Sequence, residues 1–352
     1  MAVVAFDGFD SYNGTGAVPG MQARWNAEAT SAFGMVAGRF GGQAFASNNA
    51  STDGRMYLLL PAPQTQGAFG FAFRAATLTT QLAGVAAFWC TVRTTSGSGF
   101  QLGLRSNNNG AIEAWRATSR SAGTLLGTSA NGVIVFNTWH YVECEIVISD
   151  TVGVFNVYVD SILVLSLSAQ DTRNGAPADF DAISLGHHGV FTNAGNHQFD
   201  DFYITDTAAK LGERRVETLY PSADVTGATD WTQSTGANRW STVDEATVDI
   251  TDYISATTVG NVERFTHPGM SSTPASIDAV QVVSYGLKTD ATARSIAMQV
   301  KSGATTSDGA NFALATTTIQ MRRALLATDP NTAAAWTAAA VNALEFGVKV
   351  TV

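Results

Sequence analysis

Apolar residues alternate with polar or small ones along much of the first two thirds of the chain. In GAFGFAFRA the three phenylalanines share one side, and in SGFQLGLRS, Phe100, Leu102 and Leu104 do the same. A period of two is typical of strands that bury one face. YVECEIVIS, VFNVYVD and ILVLSLS repeat this pattern, with Gly-, Asn- and Ser-rich turns between the runs. We therefore predict an all-β fold of sandwich type.

The strand pattern is interrupted once, after FDDFYITDT, by the charged segment KLGERR. A chain of 352 residues is expected to form two domains. We place the boundary so that one β-sandwich spans residues 1–211 and a smaller β-sandwich spans 212–352. The second part has strand patterns of its own, and its AAAWTAAAVNAL run predicts one short helix near 333–344.

Charge and hydropathy exclude several classes of partner. Charged residues make up 14% of the chain and the net charge is −9, so a nucleic-acid backbone is not an expected partner. No apolar run reaches the ~18 residues of a membrane span, so membrane insertion is not expected. The start, MAVVAFDGFD, has no basic residue before Asp7, and we expect no signal peptide.

Three motifs in the first half appear in an informative order: FDGFDSY, then NTWHYVECEIVISDTVGVFNVYVDSILVLSLS, then FDDFYITD. This order resembles the concanavalin A-like lectin/glucanase superfamily in its laminin-G-like form. Trp139 begins the second motif, Asp160 ends its hairpin strand, and Ser161 stands where the family usually has glycine. The resemblance implies a jelly-roll β-sandwich with a lectin-like role.

The second half carries RVETLYPSADVTGATDWTQSTGANRWSTVDE, DITDYI and WTAAAVNALEFGVKV. It resembles a segment of virion structural proteins of tailed bacteriophages. Together the two resemblances imply a component of the tail, a fibre or the head decoration, assembled in the host cytoplasm and located in the virion. Its role would be adhesion or particle reinforcement. Its partners would be other virion proteins, copies of itself and a host-surface glycan.

No catalytic residue is predicted. Glucanases of this superfamily carry closely spaced acids on one strand. Glu143 and Glu145 share the face away from the core, but the third acid of the family pattern is absent. We interpret them as solvated strand carboxylates and the protein as a non-enzyme. A tail-associated glycan-degrading enzyme of the glucanase type is the alternative.

A calcium site is one hypothesis for the acids Asp7, Asp10, Asp200 and Asp201. The first and last strands of concanavalin A-like domains are usually neighbours, which would bring these carboxylates together. Calcium binds carboxylate and carbonyl oxygens in flexible geometry. The alternative is that successive acids face opposite sides of the sheet. No other cofactor is expected.

A carbohydrate platform is a second hypothesis. Trp115, with Asn107 and Asn108, would offer a flat ring and amides to a sugar, while burial in the core or an interface is the alternative for the tryptophan. His187, His188 and His197 match no trusted zinc spacing, and exposure in a glycine- and asparagine-rich loop is preferred for them.

The two cysteines, Cys90 and Cys144, lie in apolar runs. Free core thiols are favoured, and a disulfide between them stays open.

Overall fold

The computed structural model describes residues 1–12, 24–28, 33–47, 54–75, 88–175, 177–188, 197–246, 251–316 and 318–352. These residues form two compact units, Met1–Val216 and Glu217–Val352. Unit 1 includes the segment from Gly212 to Val216. The Gly212 N–H donates to Glu143 and the Val216 N–H donates to Asp201, and both acids belong to strands of this unit. The all-β prediction is confirmed.

The strands of unit 1 are numbered in chain order. They are β1 (Val3–Asp7), β2 (Trp25–Glu28), β3 (Phe33–Ala37), β4 (Gln43–Ser47), β5 (Gly54–Gln64), β6 (Gln66–Ala75), β7 (Phe88–Thr94), β8 (Gly99–Ser106), β9 (Ile112–Ala117), β10 (Gly123–Thr128), β11 (Trp139–Val147), β12 (Val154–Val159), β13 (Ile162–Leu165), β14 (Phe180–His188) and β15 (His197–Thr205).

Two antiparallel sheets form the jelly-roll sandwich of unit 1. The eight-stranded sheet has the order β13-β12-β11-β6-β15-β4-β3, with β1 also paired to β15. The seven-stranded sheet has the order β10-β9-β8-β7-β14-β5-β2. The first and last strands are neighbours, as the resemblance implied, and Asp7 is paired with Phe202.

Aromatic side chains fill the space between the two sheets. The Phe73 ring stacks on Trp89 with centroids 4.5 Å apart, and Phe71 meets the same indole edge-on at 5.9 Å. Both phenylalanines come from the alternating run of β6, so the period-two pattern correctly predicted the core face of this strand.

Bulges move two side chains off their predicted faces. Val92 pairs with Leu102 and Arg93 with Phe100, so Gln101 is the extra residue and Phe100 lies against Arg93 rather than in the core. Likewise Val157 pairs with Leu165 and Tyr158 with Leu163, which leaves Leu163 exposed. Alternation puts Phe100 on one side with Leu102, and puts Leu163 of the ILVLSLS run on one side with Leu165. The bulges make both of these predictions wrong.

Unit 2 has shorter strands, which continue the numbering. They are β16 (Ala223–Thr229), β17 (Thr232–Gln233), β18 (Ile254–Ser255), β19 (Val262–Thr266), β20 (Val280–Gly286), β21 (Ser295–Ser302), β22 (Thr305–Asp308), β23 (Phe312–Ala313), β24 (Gln320–Leu326) and β25 (Glu345–Val350).

A six-stranded sheet, β16-β19-β25-β21-β22 with β23 beside β21, forms one layer of unit 2. The ribbon β20–β24 packs on it around Met298, Val300 and Trp336. The short helix α1 spans Ala338–Asn342, and Thr337 caps it by accepting from the Ala340 N–H. Among the described residues, no helix is long and apolar enough to cross a membrane.

Candidate functional site

A row of cross-strand partners crosses the outer face of the seven-stranded sheet. Tyr57 pairs with Ser184, which pairs with Thr91, and the row continues through Gly103 to Trp115. Paired residues of an antiparallel sheet share one face. Ile112 and Ala114, the neighbours of Trp115 on β9, are buried in the core, so this row lies on the side away from it.

Trp115 is half-buried and held in a fixed orientation. The Arg105 guanidinium lies 4.2 Å from the centre of the indole ring. Glu113 binds both groups, because its Oε2 accepts from Arg105 Nε and, at 3.2 Å, from Trp115 Nε1. The Phe88 ring meets the indole at 6.3 Å. Gly103 leaves space for the Phe88 ring, since a Cβ at this position would lie 2.7 Å from that ring.

A second aromatic group lies further along the same face. The Arg93 guanidinium is 4.9 Å from the centre of the Tyr57 ring and 4.8 Å from that of Phe100. Arg93 is buried while both rings are half-buried, so the rings rather than the charge reach solvent. The outer face thus presents rings in two places, each positioned by an arginine.

The asparagines predicted to accompany Trp115 have a different role. Asn107 Oδ1 accepts from the N–H groups of Asn109 and Ala111, and so closes the turn between β8 and β9. Asn108 is exposed at the tip of that turn. Sequence reasoning missed Arg105 and the Tyr57–Arg93–Phe100 group. Alternation could have placed Arg93 and Thr91 on one face, whereas the bulge that delivers Phe100 has no sequence signal.

The acids of the calcium hypothesis do not form one site. Asp7 is buried and fully engaged: its Oδ2 accepts from Tyr12 Oη at 2.7 Å and Trp25 Nε1 at 2.9 Å, and lies 3.0 Å from Arg24 Nε. Its Oδ1 accepts from the Phe9 N–H at 3.0 Å. Asp7 therefore holds the start of β2 against β1.

Asp10, Asp200 and Asp201 bind backbone N–H groups instead. Asp10 Oδ1 accepts from Gln43, Asp200 Oδ2 from Arg39 and Asp201 Oδ1 from Val216, all at 2.8–2.9 Å. Burial, and for Asp200 also the charge of Asp201, raises the pKa of both β15 carboxyls above the ordinary range.

In the described part of the chain, no group of three or more Asp, Glu, His or Cys side chains is arranged to hold a metal ion. The geometry therefore does not support calcium binding by the four acids. Asp201 is buried at a bulge with φ of +51°, where its carboxylate accepts from the Val216 N–H.

The interpretation of both acids as solvated carboxylates is wrong for Glu143, which is buried, while Glu145 is half-buried. Glu143 is fully buried and accepts from Tyr203 Oη, from Lys210 Nζ at 3.3 Å and from the Gly212 N–H at 2.8 Å. Glu145 accepts from Tyr158 Oη at 3.0 Å. The pair fastens the segment around residues 210–212 to the outer face of the eight-stranded sheet, so we assign it a structural role.

The three histidines lie inside unit 1 rather than in an exposed loop. The rings of His187 and His197 are 4.3 Å apart, and His188 is also fully buried. Burial lowers the pKa of His188 and His197 well below the usual range. The intervening loop, 189–196, lies outside the described residues. The preferred interpretation of exposed histidines is therefore wrong.

Cys90 and Cys144 are buried free thiols. Burial raises the pKa of both, which keeps them in the unreactive thiol form.

The segment of unit 2 that resembles virion proteins is held by a polar network. Asp224 accepts from the N–H groups of Arg239 and Trp240 at 3.1 and 2.7 Å. Glu263 Oε2 accepts from the Trp231 N–H at 3.2 Å and lies 3.4 Å from Arg239 Nε. These contacts hold the segment in place through its backbone and through the side chains of Asp224 and Arg239.

Comparison with known proteins returned fold likeness only. No protein-family model and no curated protein matches the chain. Solved structures that it is similar to include the alginate lyase Aly36B, at 10% identity and TM-score 0.38, over 62% of this chain and 100% of that one. The cellulose-induced protein Cip1 is 12% identical with TM-score 0.40, over 60% and 100%. The carbohydrate-binding module CBM66 from Bacillus subtilis is 14% identical with TM-score 0.31, over 51% and 92%.

Proposed function

We propose that unit 1 is a lectin-like module that binds a glycan on the outer face of the seven-stranded sheet, with Trp115 as its centre. The fixed arrangement of Trp115, Arg105 and Glu113 is the observation that carries this proposal. The apolar C–H face of a sugar ring packs on an indole, and its hydroxyl groups hydrogen-bond to charged side chains. Because the ring is already held by its neighbours, little conformational freedom is lost on binding.

The module serves adhesion in a bacteriophage virion, as part of the tail, a fibre or the head decoration, and its ligand is a glycan of the host surface. The sequence resemblance of unit 2 supports this role. Many copies on one particle would turn weak single sites into strong attachment, because linked sites raise the effective concentration. Particle reinforcement is the second role that the resemblance implies.

We propose that the glycan is bound without being cleaved. Support comes from Glu143 and Glu145, the nearest match to the glucanase acids, which both bind the protein's own backbone or side chains. Incubation of the protein with a glycan that it binds should release no new reducing ends. Release of oligosaccharides would favour the alternative, a tail-associated glycan-degrading enzyme.

Glycan-array screening, followed by calorimetric titration of the best ligand, tests the binding site. Trp115→Ala should weaken binding by about 30-fold, since a central aromatic anchor contributes roughly 2 kcal/mol or more. Tyr253→Ala removes an exposed aromatic ring from unit 2 and should leave the affinity unchanged. Equal affinity of Trp115→Ala and the wild type would exclude this face as the binding site.

A further inference from the structure

Most of the large apolar side chains exposed in the described part of unit 1 belong to, or adjoin, the last strands of its two sheets. Leu125 lies on the outer face of one sheet, beside its partner Trp115, and Leu163 lies on the outer face of the other, beside its partner Tyr158. Of the nine large apolar residues exposed in the described part of this unit, six belong to β10, the segment after it, or the β12–β13 hairpin with its leading turn: Leu125, Val135, Phe136, Val152, Ile162 and Leu163. An isolated exposed apolar residue needs no explanation, but a concentration of them marks an interaction surface.

Both sheets end at these strands. β10 is the last strand of the seven-stranded sheet and β13 the last of the eight-stranded sheet, and each pairs with a single neighbour in the described part of the chain. The two edges are adjacent, since a Cβ on Gly127 of β10 would lie 2.9 Å from Leu167, just beyond β13.

Hydrogen bonds connect the loop after β10 to the same edge. His140 Nε2 accepts from the Val135 N–H at 2.9 Å, and His140 Nδ1 lies 2.7 Å from Asp160, at the turn that leads into β13. We call the six residues together with the open edges of β10 and β13 the lateral edge.

Two segments of the lateral edge contain no charged residue, and the exposed Asp160 and Asp171 flank the second of them. Residues 121–138 and 161–170 contain no Asp, Glu, Lys, Arg or His. Natural edge strands are usually protected from pairing by charged side chains, proline or a covering element. Segment 161–170 also has no proline, and the exposed Ile162 and Leu163 stand at the start of β13. In the described part of the chain, the protective features of this strand are a bulge at Val164 and its short length of four residues.

We propose that the lateral edge is the contact between two copies of this chain, in which β13 pairs antiparallel with β13 of the second copy about a two-fold axis. An antiparallel strand edge is complementary to itself, so one open edge satisfies both chains. The chain carries a net charge of −9, so two copies repel each other at long range. Contact through segments 121–138 and 161–170 places no charged side chain of these segments opposite a like charge of the second copy.

Light scattering coupled to size-exclusion chromatography of the full chain tests this contact without any glycan. The wild type should be a dimer, and Leu163→Lys should be a monomer with an unchanged circular dichroism spectrum. Leu59→Lys is the matched control, because Leu59 is 42% exposed on an interior strand and Leu163 is 46% exposed on the edge. A wild type that is monomeric up to about 1 mM overturns the proposal, as does equal dissociation of both lysine variants.

Single cysteines provide a second measurement if Leu163→Lys fails to fold. Ser161→Cys, Ser166→Cys and Ser168→Cys place a thiol at exposed positions along the edge segment, while Cys90 and Cys144 are buried and inert. At least one variant should form a disulfide-linked dimer under mild oxidation. The absence of cross-linking in all three overturns β13 pairing.

Discussion

Asp7 shows how one buried carboxylate can organise the start of a fold. Three hydrogen-bond donors converge on it, from Tyr12, Trp25 and the Phe9 N–H, and the Arg24 guanidinium forms an ion pair with it. Arg24 is itself nearly inaccessible and also donates to the Phe6 carbonyl. A buried ion pair of this kind is weak evidence for net stability, but removal of one partner leaves the other charge without compensation.

We therefore expect Asp7→Asn to lower the free energy of unfolding by about 3–5 kcal/mol. The amide keeps the shape of the carboxylate but removes its charge. It also replaces one acceptor oxygen by an NH₂ donor, which faces other hydrogen-bond donors. Urea titration followed by tryptophan fluorescence measures the change. Asp206→Asn, which removes an exposed carboxylate that accepts from Ala2, should cost less than about 1 kcal/mol. Equal losses in the two variants would contradict the assignment of Asp7 as a structural anchor.

Strands show where the sequence predicts structure and where it does not. Period-two alternation identifies strands and their core faces wherever the register is regular, as in β6. It fails at bulges, because one extra residue inverts every side chain beyond it. Gln101 is held at such a position by three hydrogen bonds, to Asn174, Pro177 and Asp179, that join residues more than 70 positions apart. No local pattern encodes such contacts, so the position of Phe100 was not predictable.

The bulge in β15 is the point where this strand changes partners. Residues 197–199 pair with β4, and residues 202–205 pair with β1. Asp200 and Asp201 lie between these two stretches, and their carboxylates hold the loop at Arg39 and the segment at Val216. The acid pair of FDDF was recognisable in the sequence, but its partners are backbone groups that only the fold brings together.

Replacement of Asp201 by Asn should make the stability of unit 1 less sensitive to alkaline pH. Burial raises the pKa of Asp201 above its unfolded value of about 4. The folded state therefore binds the proton more tightly, and the resulting stability is present below pH ~4 and is lost as pH rises through the folded-state pKa. Asn stays neutral, tolerates the positive φ and keeps the acceptor for Val216. Among the described residues, no group donates a hydrogen bond to Asp201 Oδ2.

Urea unfolding of the wild type and of Asp201→Asn at pH 5 and pH 8 provides the test. The stability of the variant relative to the wild type should be higher at pH 8 than at pH 5. Asp150→Asn changes an exposed carboxylate and should show no such difference. A difference of the opposite sign would mean that Asp201 is charged and stabilising in the folded protein.

At the scale of the whole molecule, the sequence predicts two β-units, but it does not predict the arrangement of side chains around Trp115. The alternation, turn signals and interruption at KLGERR indicated two β-domains. The acids Glu143, Asp200 and Asp201 were recognised in the sequence as candidates for chemistry. In the fold, all three have structural roles. Trp115 was identified from its position opposite the core, but Arg105, two strand residues beyond Gly103, becomes its partner only through the pairing of β8 with β9.

Each unit contains its own buried carboxylate with a raised pKa, and this gives a test of their independence. In unit 2, burial raises the pKa of Glu263 to about 7, above the ~4.3 of an unfolded chain. The stability linked to its proton is present below pH ~4 and is lost as pH rises through about 7. Glu263→Gln removes this loss of stability, and its amide oxygen can still accept from the Trp231 N–H. In the described part of the chain, Glu263 Oε1 has no hydrogen-bond partner.

Calorimetry of the full chain should therefore show two transitions that respond to different substitutions. At pH 8, Glu263→Gln should raise one transition temperature and Asp201→Asn the other, and at pH 5 both effects should shrink. The reason is that each unit packs its own side chains, Phe71 and Trp89 in one and Met298 and Trp336 in the other. If both variants moved the same transition, the two units would unfold as one. If Glu263→Gln acted equally at both pH values, Glu263 would not be the group that binds the proton.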